Sequence, residues 1–308
     1  MNRIKSILVI AQRSGEVTGA LQKACIVARH FGAAIELFAC DAEHAYMAEH
    51  SYDGRGISDA VAQCMQDSQR FLEAVRASVV ADDLDIRTSV ACETPLHLGI
   101  LRKIEAVRPD LVIRCVEARG QQRQSALTPT DWQLLRSCPA PLMLTRGRTW
   151  NPVPRIVAAI DLQPPQGGLA QRVLAAASYL ASGCAGALDV VHCDVVHCQD
   201  AAAADSGAAA RMRTLLRDAG LANVDARMLA GAPEQTLSQL VRNDNVDVMV
   251  IGALSRRVGA GGDTVGTLTE TLIETLRCDL LLVRDVAQAA ITDAQRGLLR
   301  GDAARLPA

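Results

Sequence analysis

The chain has few aromatic residues, no excess of either charge and no long apolar run. Its 308 residues include two tryptophans, three tyrosines and three phenylalanines, too few for a surface on which nucleic-acid bases stack. Lys and Arg total 32 against 34 Asp and Glu, so there is no broad basic surface to neutralise phosphates. No stretch reaches the ~20 apolar residues of a membrane helix. We therefore expect neither a nucleic-acid partner nor a membrane span.

The sequence also lacks the signatures of export and of metal binding. The apolar run in the opening MNRIKSILVIAQ is shorter than the roughly 7–15 residues of a signal peptide, which favours a cytoplasmic protein. Ten cysteines are present without any CxxC, and most of them lie in apolar segments, as reduced buried thiols do. The pairs His192-Cys193 and His197-Cys198 are adjacent residues, which point to opposite faces of a strand. We expect no metal site.

What the chain does contain is one internal repeat. Residues 35–44 (IELFACDAEH) match 188–197 (LDVVHCDVVH), and residues 93–113 match 231–251 in the order of proline, helical pattern and apolar strand. The polar, proline-containing segment RGRTWNPVP lies between the two copies. The repeat predicts a first domain at 1–146, a linker at 147–154, a second domain at 155–286 and a C-terminal tail at 287–308.

Each half alternates strands and helices. Several of the strands are unbroken runs of Val, Ile and Leu, which is typical of parallel strands covered on both faces. Thr94-Pro95 and Pro233 mark helix starts, and Gly32 and Gly220 mark helix ends. The predicted fold is α/β, with two tandem doubly wound parallel five-stranded sheets packed as a pseudo-dimer. The strands are expected near 4–11, 34–41, 84–91, 110–116, 141–146, 155–161, 187–195, 223–229, 247–253 and 279–285.

The segment most informative about function is GALSRRVGAGGDTVGT, residues 252–267. Five of its first fifteen residues are glycine, where average usage gives about one. Glycine-rich backbone between a strand and a helix N-terminus presents N–H groups to an anion. The alternative is a surface loop without a ligand. The chain has no GxxxxGK[ST] and no GxGxxG after the first strand of either half, so P-loop and dehydrogenase functions are not favoured.

The repeat, Asp161 at the end of a first strand and this glycine loop resemble the universal stress protein family. TPTDWQLLRSCPAPLML (128–144) and RCDLLLVRD (277–285) resemble its tandem E-type members. Relatives that bind nucleotides carry GxxG, nine residues and G[ST]. Gly252 and Gly266-Thr267 match this motif, whereas Ser255 replaces the second glycine and ten residues follow it. The resemblance implies a binding site at Asp161, Gly252, Ser255, Gly259, Gly261, Gly262, Gly266 and Thr267.

The resemblance implies ATP, with Mg, in the second domain only. The first half has Gln12, Cys115 and Thr128-Pro129 at the corresponding positions, and proline lacks an N–H donor. The implied function is a stress-response protein that acts through protein contacts and is not a conventional enzyme. Two alternatives stay open: a carrier of an apolar or lipid-like ligand, and a slow nucleotide hydrolase with Asp161 as its candidate residue. The protein partners and any further self-association stay undetermined.

Overall fold

A computed structural model describes residues 4–13, 16–50, 54–116, 127–162, 168–194, 207–253 and 267–284. These residues form ten strands and nine helices in alternation. Every predicted strand is present, with ends that differ from the prediction by at most two residues. The strands are β1 (Ser6–Ala11), β2 (Ala34–Asp41), β3 (Ile86–Cys92), β4 (Leu111–Cys115), β5 (Leu142–Thr145), β6 (Arg155–Ala159), β7 (Ala187–Asp194), β8 (Asp225–Ala230), β9 (Val248–Gly252) and β10 (Asp279–Val283).

The helices begin and end where local backbone chemistry favours it. Gly32 ends the first helix with a φ of 64°, a left-handed conformation that glycine adopts without strain. Pro233 is the first residue of α8, as predicted. Thr94 is not the N-cap of α4: Pro95 takes that position without a side-chain cap. The helices are α1 (Val17–Phe31), α2 (Glu43–His50), α3 (Gly54–Ala77), α4 (Leu96–Val107), α5 (Pro129–Ser137), α6 (Leu169–Gly183), α7 (Ala208–Asp218), α8 (Pro233–Asn243) and α9 (Thr267–Thr275).

The chain divides into two compact units. The first contains residues 4–117 and 127–142, and the second contains residues 143–285. In the first unit the strand order is β3-β2-β1-β4, and in the second it is β5-β10-β9-β6-β7-β8. The pairs β1–β2, β1–β4, β2–β3, β6–β7, β6–β9, β7–β8 and β9–β10 are all parallel. The predicted α/β class with parallel sheets is confirmed, and the domain limits and pseudo-dimer stay predictions.

The core of each unit consists of apolar strands. Five consecutive residues of β1, from Ile7 to Ala11, are buried, and all of β10 is buried. Strands covered by helices on both faces expose no side to water, so every position favours an apolar residue. The sequence between β2 and β3 forms two helices, α2 and α3, where the alternation predicted one.

The segment predicted as a linker is held on the second unit by two buried aspartates. The backbone N–H of Arg146 and Nε1 of Trp150 each donate to Asp279, both at 2.8 Å. The backbone N–H groups of Asn151 and Arg155 donate to Asp247 at 3.1 and 2.8 Å. Both carboxylates lie at the amino ends of strands, so this segment packs at the edge opposite the strand ends discussed below.

Candidate functional site

In each unit the order of the strands reverses beside the first strand. The chain runs β1-β2-β3 in one direction and places β4 on the other side of β1, and β6 and β9 repeat this arrangement. Open α/β sheets bind ligands outside the carboxyl ends of the strands at such a reversal. Ile7 lies opposite Leu111, and Ile156 lies opposite Val248. This register places Arg114 and Cys115 of the first unit where the second unit has Ile251 and Gly252.

In the second unit this edge brings together several of the predicted binding residues. Asp161 follows β6 and is exposed, and Gly252 ends the neighbouring strand β9. The Thr269 hydroxyl donates to the carbonyl oxygen of Gly252 at 3.3 Å. This bond ties the first turn of α9 to the end of β9, and α9 begins at Thr267. Asp161, Gly252 and the start of α9 therefore share one edge. Five of the predicted residues lie outside the described residues: Ser255, Gly259, Gly261, Gly262 and Gly266.

Gly252 lies in close contact with α6. A Cβ built on Gly252 would lie 2.6 Å from Cδ2 of Leu169, the first residue of α6. A carbon–carbon distance of that size is far below the ~3.5–4.0 Å of an optimal contact. Glycine at this strand end therefore leaves space for the half-buried side chain of Leu169. The sequence predicted Gly252 as part of a phosphate loop and did not indicate this packing role.

The corresponding edge of the first unit contains a buried ion pair. Arg114 donates through Nε to Asp131 and through Nη2 to Oε1 of Gln12, both at 2.6 Å. The side chains of Arg114 and Asp131 are 2% and 3% exposed. Asp131 also accepts bonds from the hydroxyl and backbone N–H of Thr128, and its own backbone N–H donates to that hydroxyl. Gln12 and Thr128 stand at the positions that correspond to the predicted binding residues Asp161 and Gly266 of the second half. Both side chains bind protein groups here.

The sequence analysis identified Gln12 and Thr128 as residues at this edge but did not identify Arg114 and Asp131. The available signal was the arginine in LVIRCV, because a charge within an apolar buried strand requires a partner. Nothing in the sequence identified Asp131 as that partner, since the two residues are seventeen positions apart.

The histidine and cysteines at strand ends are packing groups. Nδ1 of His192 lies 2.9 Å from the carbonyl oxygen of Ile160. Burial raises the pKa of the Cys193 thiol to about 11 and that of Cys40 to about 12, so both are protonated near neutral pH. The nine cysteines within the described ranges are free thiols. Those ranges contain no cluster of three or more His, Cys, Asp or Glu able to hold a metal ion. His197 and Cys198 lie outside them.

These features define an α/β protein of two similar parallel-sheet units with a candidate ligand edge in the second. The chain is 22% identical to universal stress protein E of Escherichia coli over 205 residues, which are 60% of this chain and 64% of that protein. It is also 22% identical to universal stress protein E of Photorhabdus laumondii over 312 residues, 92% of this chain and 96% of that protein. No protein-family model matches the chain.

Solved structures share the fold over nearly the whole chain. A functionally unknown protein from Pseudomonas aeruginosa superposes with a TM-score of 0.70 and 22% identity, covering 97% of this chain and 98% of that one. A universal stress protein from Archaeoglobus fulgidus superposes with a TM-score of 0.64 and 13% identity, covering 91% and 98%. The predicted resemblance to universal stress proteins is therefore confirmed in sequence and in fold.

The part of the chain that the structure describes contains no helix with the length and apolarity needed to cross a membrane.

Proposed function

We propose that this chain is a cytoplasmic stress-response protein that binds an adenine nucleotide in its second unit and acts through contacts with other proteins. The nucleotide phosphates bind at the 252–267 segment, where the N-terminus of α9 favours negative charge. Asp161 accepts hydrogen bonds from the ribose or the base. Ser255, Gly259, Gly261, Gly262, Gly266 and Thr267 belong to this proposed site.

The observation that supports the proposal is the difference between the two sheet edges at which the strand order reverses. In the first unit, the Arg114–Asp131 pair and Gln12 occupy the strand ends. In the second unit, the equivalent strands end in exposed Asp161 and in Gly252, tied to the start of α9. In the first unit, charged side chains of the protein occupy the edge. In the second unit, the edge has the carboxylate of Asp161 as a hydrogen-bond acceptor, the glycine Gly252 and the N-terminus of α9. This contrast supports binding in one unit only.

A thermal-shift titration with Mg-ATP tests the proposal. A ligand at about 100 times its dissociation constant stabilises the folded state by roughly 2.7 kcal/mol, which raises the Tm of a domain of this size by roughly 5–10 °C. Gly266→Val is expected to abolish the shift, because a branched side chain is placed where phosphate approaches. Cys115→Ser, at the equivalent of Gly252 in the first unit, is the control and is expected to preserve it.

The alternatives give different results in the same samples. Release of ADP from bound ATP would support the slow hydrolase with Asp161 as its polar residue. An absent shift, together with an apolar molecule found by mass spectrometry of the purified protein, would support the carrier. A shift that persists in Gly266→Val would contradict phosphate binding at the 252–267 segment.

A further inference from the structure

Two arginines lie beside Gly252 at the carboxyl edge of the second unit. Arg172 is the fourth residue of α6, one turn after the Leu169 that contacts Gly252. Arg284 directly follows Val283, the residue of β10 that lies opposite Gly252. Nη1 of Arg172 donates to the carbonyl oxygen of Arg284 at 3.5 Å. The two residues, separated by 112 positions in sequence, thus meet at the strand ends.

The surroundings of this pair combine a helix N-terminus with one carboxylate, the exposed Asp161 that follows β6 at the same edge. The first turn of α6 contains no acidic residue, and the positive end of a helix dipole adds to the charge of Arg172. Both arginines are partly buried, where charge interactions are screened less than at an open surface. A guanidinium group presents several N–H donors in one plane and forms paired bonds to phosphate oxygens.

The first unit lacks this arrangement. The fourth residue of α1 is Ala20, which is 1% exposed and packs in the core. The charged residue nearest to the equivalent strand end is Arg114, and Asp131 and Gln12 bind it. The first repeat therefore has no counterpart of Arg172. Arg146 follows β5 as Arg284 follows β10, and its backbone N–H donates to Asp279, so the arginine in the first turn of α6 is what distinguishes the second unit.

We propose that Arg172 and Arg284 form the cationic wall of the ligand site and make it selective for a polyphosphate over a neutral nucleoside or an apolar molecule. This inference rests on the proposed function, because it concerns the ligand of the same edge. The phosphate chain lies along the β9–β10 side of Gly252, and the two guanidinium groups donate to its oxygens. The affinity of the site rises with the number of phosphates.

Isothermal titration of the full chain with adenosine, ADP, Mg-ATP and inorganic triphosphate tests the inference. Arg172→Gln and Arg284→Gln are each expected to weaken ATP and triphosphate binding by about tenfold to a hundredfold, the effect of losing a charged hydrogen bond. Adenosine binding is expected to stay unchanged, a selectivity that a loss of folding would not produce. Arg213→Gln removes the same charge from an exposed position of α7 and is the matched control, expected to bind as wild type does.

The outcomes separate this inference from the proposed function. ATP binding that is equal in Arg172→Gln, Arg284→Gln and Arg213→Gln would overturn the cationic wall and leave the nucleotide proposal standing. Triphosphate binding that depends on both arginines, with no gain from the adenosine moiety, would support the wall and contradict the adenine nucleotide. Binding of adenosine as tight as that of ATP would also overturn the wall. If neither ATP nor triphosphate binds to the wild type, both proposals are wrong.

Discussion

At the residue scale, Arg114 is a charged side chain inside an otherwise apolar strand. Moving a charge out of water costs several kcal/mol, and only close and well-oriented partners offset that cost. Arg114 has Asp131 and Gln12, each at 2.6 Å, and Thr128 fixes the other oxygen of Asp131. This cluster, the Arg114 network, holds α5 against the ends of β1 and β4.

The first prediction follows from that burial. Asp131→Asn keeps the size of the side chain but leaves the guanidinium of Arg114 without its counter-charge. Breaking a buried pair in this way typically costs about 3–5 kcal/mol. We expect a loss of that size in the free energy of unfolding of the first unit, measured by urea denaturation.

The control for this prediction is an exposed ion pair in the same unit. Nη2 of Arg87 lies 2.9 Å from Asp85, and these side chains are 77% and 52% exposed. Asp85→Asn removes the same charge and is expected to cost less than about 1 kcal/mol. Equal effects of Asp131→Asn and Asp85→Asn would show that the Arg114 network contributes no more than a surface pair.

At the scale of elements, the Leu169 side chain of α6 packs against Gly252 at the end of β9. The second prediction is that Gly252→Ala destabilises this unit by up to about 1 kcal/mol, the low end of the cost of inserting a methyl group into a packed contact, because the atom that must shift is the end of a half-buried leucine side chain. The cause is Leu169, whose Cδ2 lies 2.6 Å from the added Cβ. Shortening that side chain by Leu169→Ala is therefore expected to reduce the cost of Gly252→Ala.

Urea denaturation of the two single variants and the double variant measures this coupling, which is expected to be about 0.5 kcal/mol or more for residues in contact. Gly19→Ala is the matched control, because the nearest atom to its Cβ is 4.0 Å away. Alanine is favoured over glycine within a helix, so this variant is expected to be no less stable than wild type. Strictly additive effects at Gly252 and Leu169 would contradict the close contact.

The sequence predicted these elements well and their contacts poorly. Runs such as VMVI in β9 and LLLV in β10 identified buried parallel strands, because residues in such strands face the core on both sides. The sequence did not predict the second helix between β2 and β3, because the alternation of strands and helices does not show how many helices join two strands. The bonds of Arg114 with Asp131 and of Arg172 with Arg284 also escaped, because only the folded sheet brings distant positions to one edge. The glycine-rich segment stays a prediction.

At the scale of the whole molecule, the two repeats differ at equivalent strand ends. In the first unit Arg114 donates to both Gln12 and Asp131. In the second unit the equivalent edge has Asp161, Gly252 and the start of α9. A buried ion pair stabilises one arrangement of side chains, and Arg114 directs donors to Asp131 and Gln12. Under the proposed function, the first unit has a structural role and the second unit binds the ligand.

The third prediction is a stoichiometry of one nucleotide per chain. Native mass spectrometry of the full chain with increasing Mg-ATP is expected to show one added ligand, because only the second unit combines Gly252, Asp161 and a helix N-terminus at one edge. Gly266→Val is expected to remove the bound species, and Cys115→Ser to retain it, since Cys115 belongs to the edge that the Arg114 network fills. A saturating complex with two nucleotides would show that the first unit also binds, and a single nucleotide retained by Gly266→Val would place the site elsewhere.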